Sequence, residues 1–185
     1  MIHYPYEGKT PDVHAGAYIA ENAVITGDVK IHDGASIWYH TVIRGDVAPT
    51  IIERNVNIQD QSLLHQSPGL PLHIHEGVTV GHQCMLHSCI IEKNALIGMG
   101  STVLDGAVIR EGAFIGAGSL VTPGTEIPPG KLALGRPARV VRDLTEEDQA
   151  EMKRIRESYV EKGRTYKAMQ ESRYHHFPGN SQRGD

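Results

Sequence analysis

An aliphatic or β-branched residue recurs at every sixth position: Val13, Ile19, Ile25, Ile31, Ile37 and Ile43 form one register. Ile52, Ile58 and Leu64 form a second, Ile74, Val80 and Leu86 a third, and Ile91, Ile97, Val103, Ile109, Ile115, Val121 and Ile127 a fourth. A fixed period of this kind constrains the fold more than composition does. Four residues after these sites the side chain is usually small or β-branched, as at Ala17, Ala23, Val29, Ala35, Thr41, Val78, Cys84, Ala95, Ser101, Ala107, Ala113 and Ser119. A helix needs apolar residues three and four apart, so a helical reading of this stretch fails. Short strands of high β-propensity, turning at Gly, Asn and Asp corners with one large and one small side chain inward per six residues, satisfy the pattern. The period predicts a β-solenoid over residues 13–140, with 1–12 as a lead-in. A core of stacked aliphatic rows also accommodates a composition of 20 Gly with only 2 Phe and 1 Trp.

The open ends of a solenoid need caps. Thr145 with Asp148 three residues on resembles the start of a capping box. Met152, Ile155, Tyr159, Tyr166 and Met169 keep one face of a helix from about 146 to 171, within a C-terminal segment 141–172 expected to lie along the prism. Residues 173–185 carry no apolar pattern and are expected to be a disordered tail. A net charge of −4 argues against nucleic-acid binding, and no run of 18 apolar residues suggests a membrane span. The first residues lack the basic and apolar regions of a signal peptide, which predicts a cytoplasmic protein. Cys84 and Cys89 are too few for a disulfide framework and are expected to be reduced, whereas 11 His suggest a metal.

The repeat breaks twice. From Ile43 to Leu64 is 21 residues, one 18-residue coil plus three around Ala48, Pro49 and Thr50; from Leu64 to Leu86 is 22, one coil plus four around Gly69 to Leu72. Arg44, His65 and His87 therefore share a column, pointing outward on successive coils about 4.8 Å apart. The same count sets Asp60 beneath His82. His65 and His87 are a natural ligand pair. His82 sits on another edge and completes a trio only from a neighbouring chain, which predicts a cyclic homotrimer.

At these residues the sequence resembles the gamma-class carbonic anhydrases. The resemblance lies in Ile43-Arg44-Gly45-Asp46, Asn57-Ile58-Gln59-Asp60 with His65 six after Gln59, and Gly81-His82-Gln83-Cys84-Met85-Leu86-His87. It implies a left-handed parallel β-helix of triangular section and a divalent metal, Zn²⁺ foremost with Fe²⁺ or Co²⁺ also used, on His65 and His87 of one subunit and His82 of the next. It further implies reversible hydration of carbon dioxide to bicarbonate by metal-bound hydroxide at the trimer interfaces, with Gln59 hydrogen-bonding the metal's water. Arg44 and Asp46 would form an ion pair beside the site, and Tyr159 would stand near the metal. Asn57 and Asp60 are supporting candidates, Asp60 as the partner that fixes a ring tautomer. Val47 after Asp46, and Gln66, Ser67, Pro68 and Gly69 after His65, supply none of the carboxylates of the family's acidic loop. These short loops resemble the bacterial branch labelled transferases or ferripyochelin-binding proteins.

A randomly chosen outward histidine on a solenoid is ordinarily a solvated side chain, and His3, His14, His32, His40, His175 and His176 take that reading. His73 and His75 stand in and after the second insertion, and nothing in the count aims them at the trio. Two alternatives remain: a hexapeptide acyltransferase using acyl-CoA, and a metal-binding scaffold or thioesterase.

Overall fold

The computed structural model describes residues 2–175, with side chains over residues 4–173. The chain winds as a left-handed parallel β-helix of about seven turns, closed by one C-terminal helix. Two strands, Val24–Ile31 and Val42–Ile52, run continuously around one corner of the prism and join two of its faces into a twelve-stranded sheet. Val42–Ile52 accordingly pairs with Leu63–His65 at one end and with Leu72–Ile74 at the other. The third face is an eight-stranded sheet.

The large inward positions form continuous rows: Ile25, Ile43, Leu64, Leu86, Val103 and Val121 are each wholly buried. Each such side chain contributes about 1.5–3 kcal/mol relative to exposure. All the small positions from Ala17 to Ser119 named above are buried too, so the alternation of large and small fills the taper at the corners. Corners turn through left-handed backbone. Gly106, at φ +68°, is one such corner, and its N–H donates to the Ser88 carbonyl at 2.7 Å, setting the direction of the residue before it, Asp105.

The top of the prism differs from the sequence expectation. Lys131–Gly135 and Ala138–Asp143 form an antiparallel hairpin, so residues 141–143 are strand. The helix Glu146–His175 follows. Its start is a reciprocal cap: the Thr145 N–H donates to Asp148 Oδ2 at 2.8 Å, and the Asp148 N–H to Thr145 Oγ1 at 3.1 Å. The helix lies along the third face, against Tyr18–Ile19, Ser36–Ile37 and Asn57–Ile58. Trp38 meets Tyr159 and Tyr166 edge to face at 5.4 and 5.1 Å between ring centres. Gly163 rather than Met169 completes the packed face: a Cβ on Gly163 would stand 3.1 Å from the Ser36 Cβ, whereas Met169 is 52% exposed. Arg173–His175 continue the helix, and the remainder of the expected tail lies outside the described residues.

Candidate metal centre

The column arithmetic holds in the sheet register. Ile43 pairs with Leu64, Leu64 with Leu86, and His65 with His87. Both histidines follow an inward leucine, so pleat alternation turns them outward, on adjacent rungs of one face. His65 Nδ1 and His87 Nε2 stand 3.1 Å apart.

The far nitrogen of each ring is tied to a carboxylate. His65 Nε2 lies 3.0 Å from Asp46 Oδ1, and His87 Nδ1 lies 2.5 Å from Asp105 Oδ1. Burial alone would raise the Asp46 carboxyl, but hydrogen bonds from Arg44 and His65 together with the charge of Arg44 outweigh it and hold it below the usual range. Hydrogen bonds from the Ser67 hydroxyl and from His87 lower Asp105 likewise. Both carboxylates are thus ionised acceptors, and each favours the imidazole tautomer with its N–H toward the acid. The two remaining nitrogens then present lone pairs to each other, an arrangement that favours a cation between them. Two nitrogens bound to one tetrahedral zinc stand roughly 3.3 Å apart. The spacing and the donor set both fit a divalent metal.

Asp105 was missed by the sequence reading, although its signal was present: it follows His87 by 18 residues, one uninterrupted coil. Arg44 donates to Asp46 Oδ2 at 2.5 Å within the same chain and keeps a side chain 46% exposed.

The remaining candidates gather elsewhere. Asp60 Oδ2 lies 2.8 Å from His82 Nδ1, as the 22-residue count requires, leaving Nε2 as that ring's other ligand atom. Gln59, His82 and Tyr159 line one groove of about 320 Å³, floored by Gly81 and Gly98 and walled by Leu96, Phe114 and Ile155. Gln59 donates through Nε2 to Asn57 Oδ1 at 3.1 Å, and Asn57 Nδ2 to Thr79 Oγ1 at 2.9 Å, so the buried Asn57 holds the Gln59 amide in place. Burial and the charge of Asp60 raise the Tyr159 phenol, which stays protonated at neutral pH. Within one chain the candidate residues therefore form two separate groups, one with Arg44, Asp46, His65, His87 and Asp105, the other with Gln59, Asp60, His82 and Tyr159. His65, His82 and His87 do not close a cluster inside the chain: among the described residues the three-ligand group within 4.8 Å is Glu53, His73 and His75.

The family described as bacterial transferase hexapeptide (six repeats) matches residues 10–45 and 88–123. A carbonic anhydrase of Geobacillus kaustophilus is 67% identical over 92% of this chain and 93% of its own length. The chain belongs to the gamma carbonic anhydrase family. The mitochondrial gamma carbonic anhydrase 2 of Arabidopsis thaliana is 40% identical over 82% of this chain and 57% of that protein. The crystal structure of a hexapeptide transferase family protein from Anaplasma phagocytophilum superposes with a TM-score of 0.84 at 43% identity, covering 89% of this chain and 98% of that one. The hexapeptide match leaves out residues 46–87, the stretch that carries both insertions and, apart from Arg44, Asp105 and Tyr159, every side chain of the two groups.

No helix of the described residues is long and apolar enough to cross a membrane.

Proposed function

We propose that the chain hydrates carbon dioxide reversibly as a cyclic homotrimer, each of whose three interfaces joins the His65–His87 half-site of one subunit to the His82 half-site of the next. The observation that carries this reading is the pair of facing imidazole nitrogens 3.1 Å apart, each ring held by a carboxylate on its other side. His65, His87 and the neighbour's His82 would hold the ion, zinc first, with iron or cobalt accepted by the same donors. Such an ion supplies Lewis acidity that brings a water to a pKa of roughly 7.

The protein's own groups divide the remaining work. Asp46, Asp105 and Asp60 each hold one histidine's tautomer and direction. Gln59, fixed by Asn57, offers its amide to the nucleophilic water and orients it. Arg44 places a permanent positive charge beside Asp46, and its exposed N–H groups are available to the anionic product. The apolar walls of the His82 groove suit an uncharged gas molecule.

An acyltransferase reading draws on the hexapeptide transferase relative. It requires coenzyme A in a groove between prisms and makes no use of the paired imidazoles. Stopped-flow hydration on metal-replete protein separates the readings, with His82→Ala as the control. The lyase reading expects turnover in the wild type and background rates in the variant. Activity that survives His82→Ala would rule out an interface metal mechanism.

A further inference from the structure

A second group of ligand-type side chains stands apart from both half-sites. Glu53 directly follows the corner-turning strand Val42–Ile52, and His73 and His75 lie in and just after Leu72–Ile74. Ile52 pairs with Ile74, so Glu53 and His75 occupy the same position on adjacent rungs, and His73 lies two residues earlier on the same face. The sheet itself thus brings the three together.

Glu53 Oε1 lies 2.8 Å from His73 Nε2 and 3.4 Å from His75 Nδ1. The second distance is long for a hydrogen bond. It lies instead at the upper end of the roughly 3.0–3.4 Å that separates ligand atoms each about 2.1 Å from one octahedral or tetrahedral ion, and the first, at 2.8 Å, is a little shorter than that range. The carboxylate is anchored from behind, because Glu53 Oε2 accepts the Glu76 backbone N–H at 2.9 Å. The two rings stack at 4.0 Å between centres and 21° between planes, which aligns both donors toward the same oxygen. All three side chains are between 27 and 30% exposed, open enough for an ion to enter yet restrained by their neighbours.

We propose that Glu53 Oε1, His73 Nε2 and His75 Nδ1 form a second binding site for a divalent transition ion of the zinc, cobalt or nickel class, independent of the hydration site. Two imidazoles and one carboxylate on one side of the ion leave its other positions to water or to a small anionic ligand. The strands hold the ligands before the ion arrives, so binding does not depend on folding a loop.

Zn²⁺ itself is the probe. The full chain carrying His175→Ala and His176→Ala is equilibrated at fixed free Zn²⁺, passed through gel filtration and assayed for zinc per chain, with circular dichroism as the check on folding. Adding His65→Ala with His87→Ala empties the proposed hydration site; about one ion per chain is expected to remain. That ion is expected to disappear with His73→Ala plus His75→Ala, and its affinity to fall at least tenfold with Glu53→Gln. A folded His65→Ala, His87→Ala protein that retains no zinc where the parent is saturated would overturn the proposal. So would a remaining ion indifferent to His73, His75 and Glu53. Failure of the hydration-site reading shows separately, as a zinc count unchanged by His65→Ala and His87→Ala.

Discussion

The coils over residues 88–133 and those over 43–87 are built on the same hexapeptide but put it to different use. In the upper coils every turn takes 18 residues, the inward sites Ile91, Ile97, Val103, Ile109, Ile115, Val121 and Ile127 are buried without interruption, and no outward position carries a histidine. In the lower coils insertions of three and four residues bulge at one corner while the rows of aliphatic side chains continue beneath them. The core is equally closed in both. What the insertions change is the outside, where histidines and acids accumulate on adjacent rungs. Asp105 is the exception that ties the halves together, a carboxylate from the first regular coil steadying a histidine from the last interrupted one. Stability and chemistry are thus carried by opposite sides of the same strands, which makes them separable by mutation.

The largest separation is expected at the histidines. His65→Ala or His87→Ala should reduce carbon dioxide hydration to the uncatalysed background and remove the interface metal, while thermal unfolding of the metal-free proteins shifts little, because partly exposed polar side chains are lost without opening the core. Hydration assays and scanning calorimetry on the same samples check this. The converse substitution is Ile97→Ala in the regular half. It removes a fully buried side chain and should cost about 2–5 kcal/mol in chemical denaturation, yet leave metal per folded chain unchanged. Loss of metal from a still folded Ile97→Ala protein would erase the distinction between the halves.

Asp105→Asn probes the link between them. Its geometry is nearly preserved, but the charge that fixes the His87 tautomer is gone, so zinc affinity should weaken by roughly 10- to 100-fold with no change in unfolding. Competition with a chelating dye measures it. The smallest effect concerns the thiols. Burial pushes Cys84 up to about 11 and Cys89 up to about 12, from an ordinary 9.0. Both are therefore neutral in the folded protein at pH 8 and should resist alkylation until it unfolds. An acid raised on folding lends stability that is complete below the unfolded value and lost as pH rises toward the folded one. Denaturant midpoints should accordingly be insensitive to these thiols below pH 9 and decline between about pH 9 and 12, a decline that Cys84→Ala with Cys89→Ala makes shallower.

Much of this was legible in the chain before any coordinates. A period of six determines which side chains enter the core, and counting residues across the breaks put His65 beside His87 and Asp60 beside His82 because a parallel solenoid converts sequence spacing into height. The same count, carried one coil further, gives Asp105, and carried down the neighbouring face it pairs Glu53 with His75. Counting does not report where an outward side chain turns its nitrogens. The tautomers of His65 and His87, and the convergence of His73 and His75 on one oxygen, depend on rotamers that only the packed neighbours decide. The hairpin at the top escaped for another reason. Leu132, Ala133 and Leu134 continue the apolar trend of the repeat, and the turn at Gly135, Arg136 and Pro137 reverses the chain where the period alone suggests a further parallel rung.

The claim that one active site is assembled from two subunits is tested most directly by complementation. His65→Ala and His82→Ala proteins, each inactive alone, are mixed in equal amounts, dissociated, reassembled with zinc and assayed for hydration. If His65 and His82 of different subunits meet at each interface, about a quarter of the sites regain an intact set, and roughly a quarter of wild-type activity returns. No recovery in the reassembled mixture, or appreciable activity in either variant by itself, would contradict the shared site.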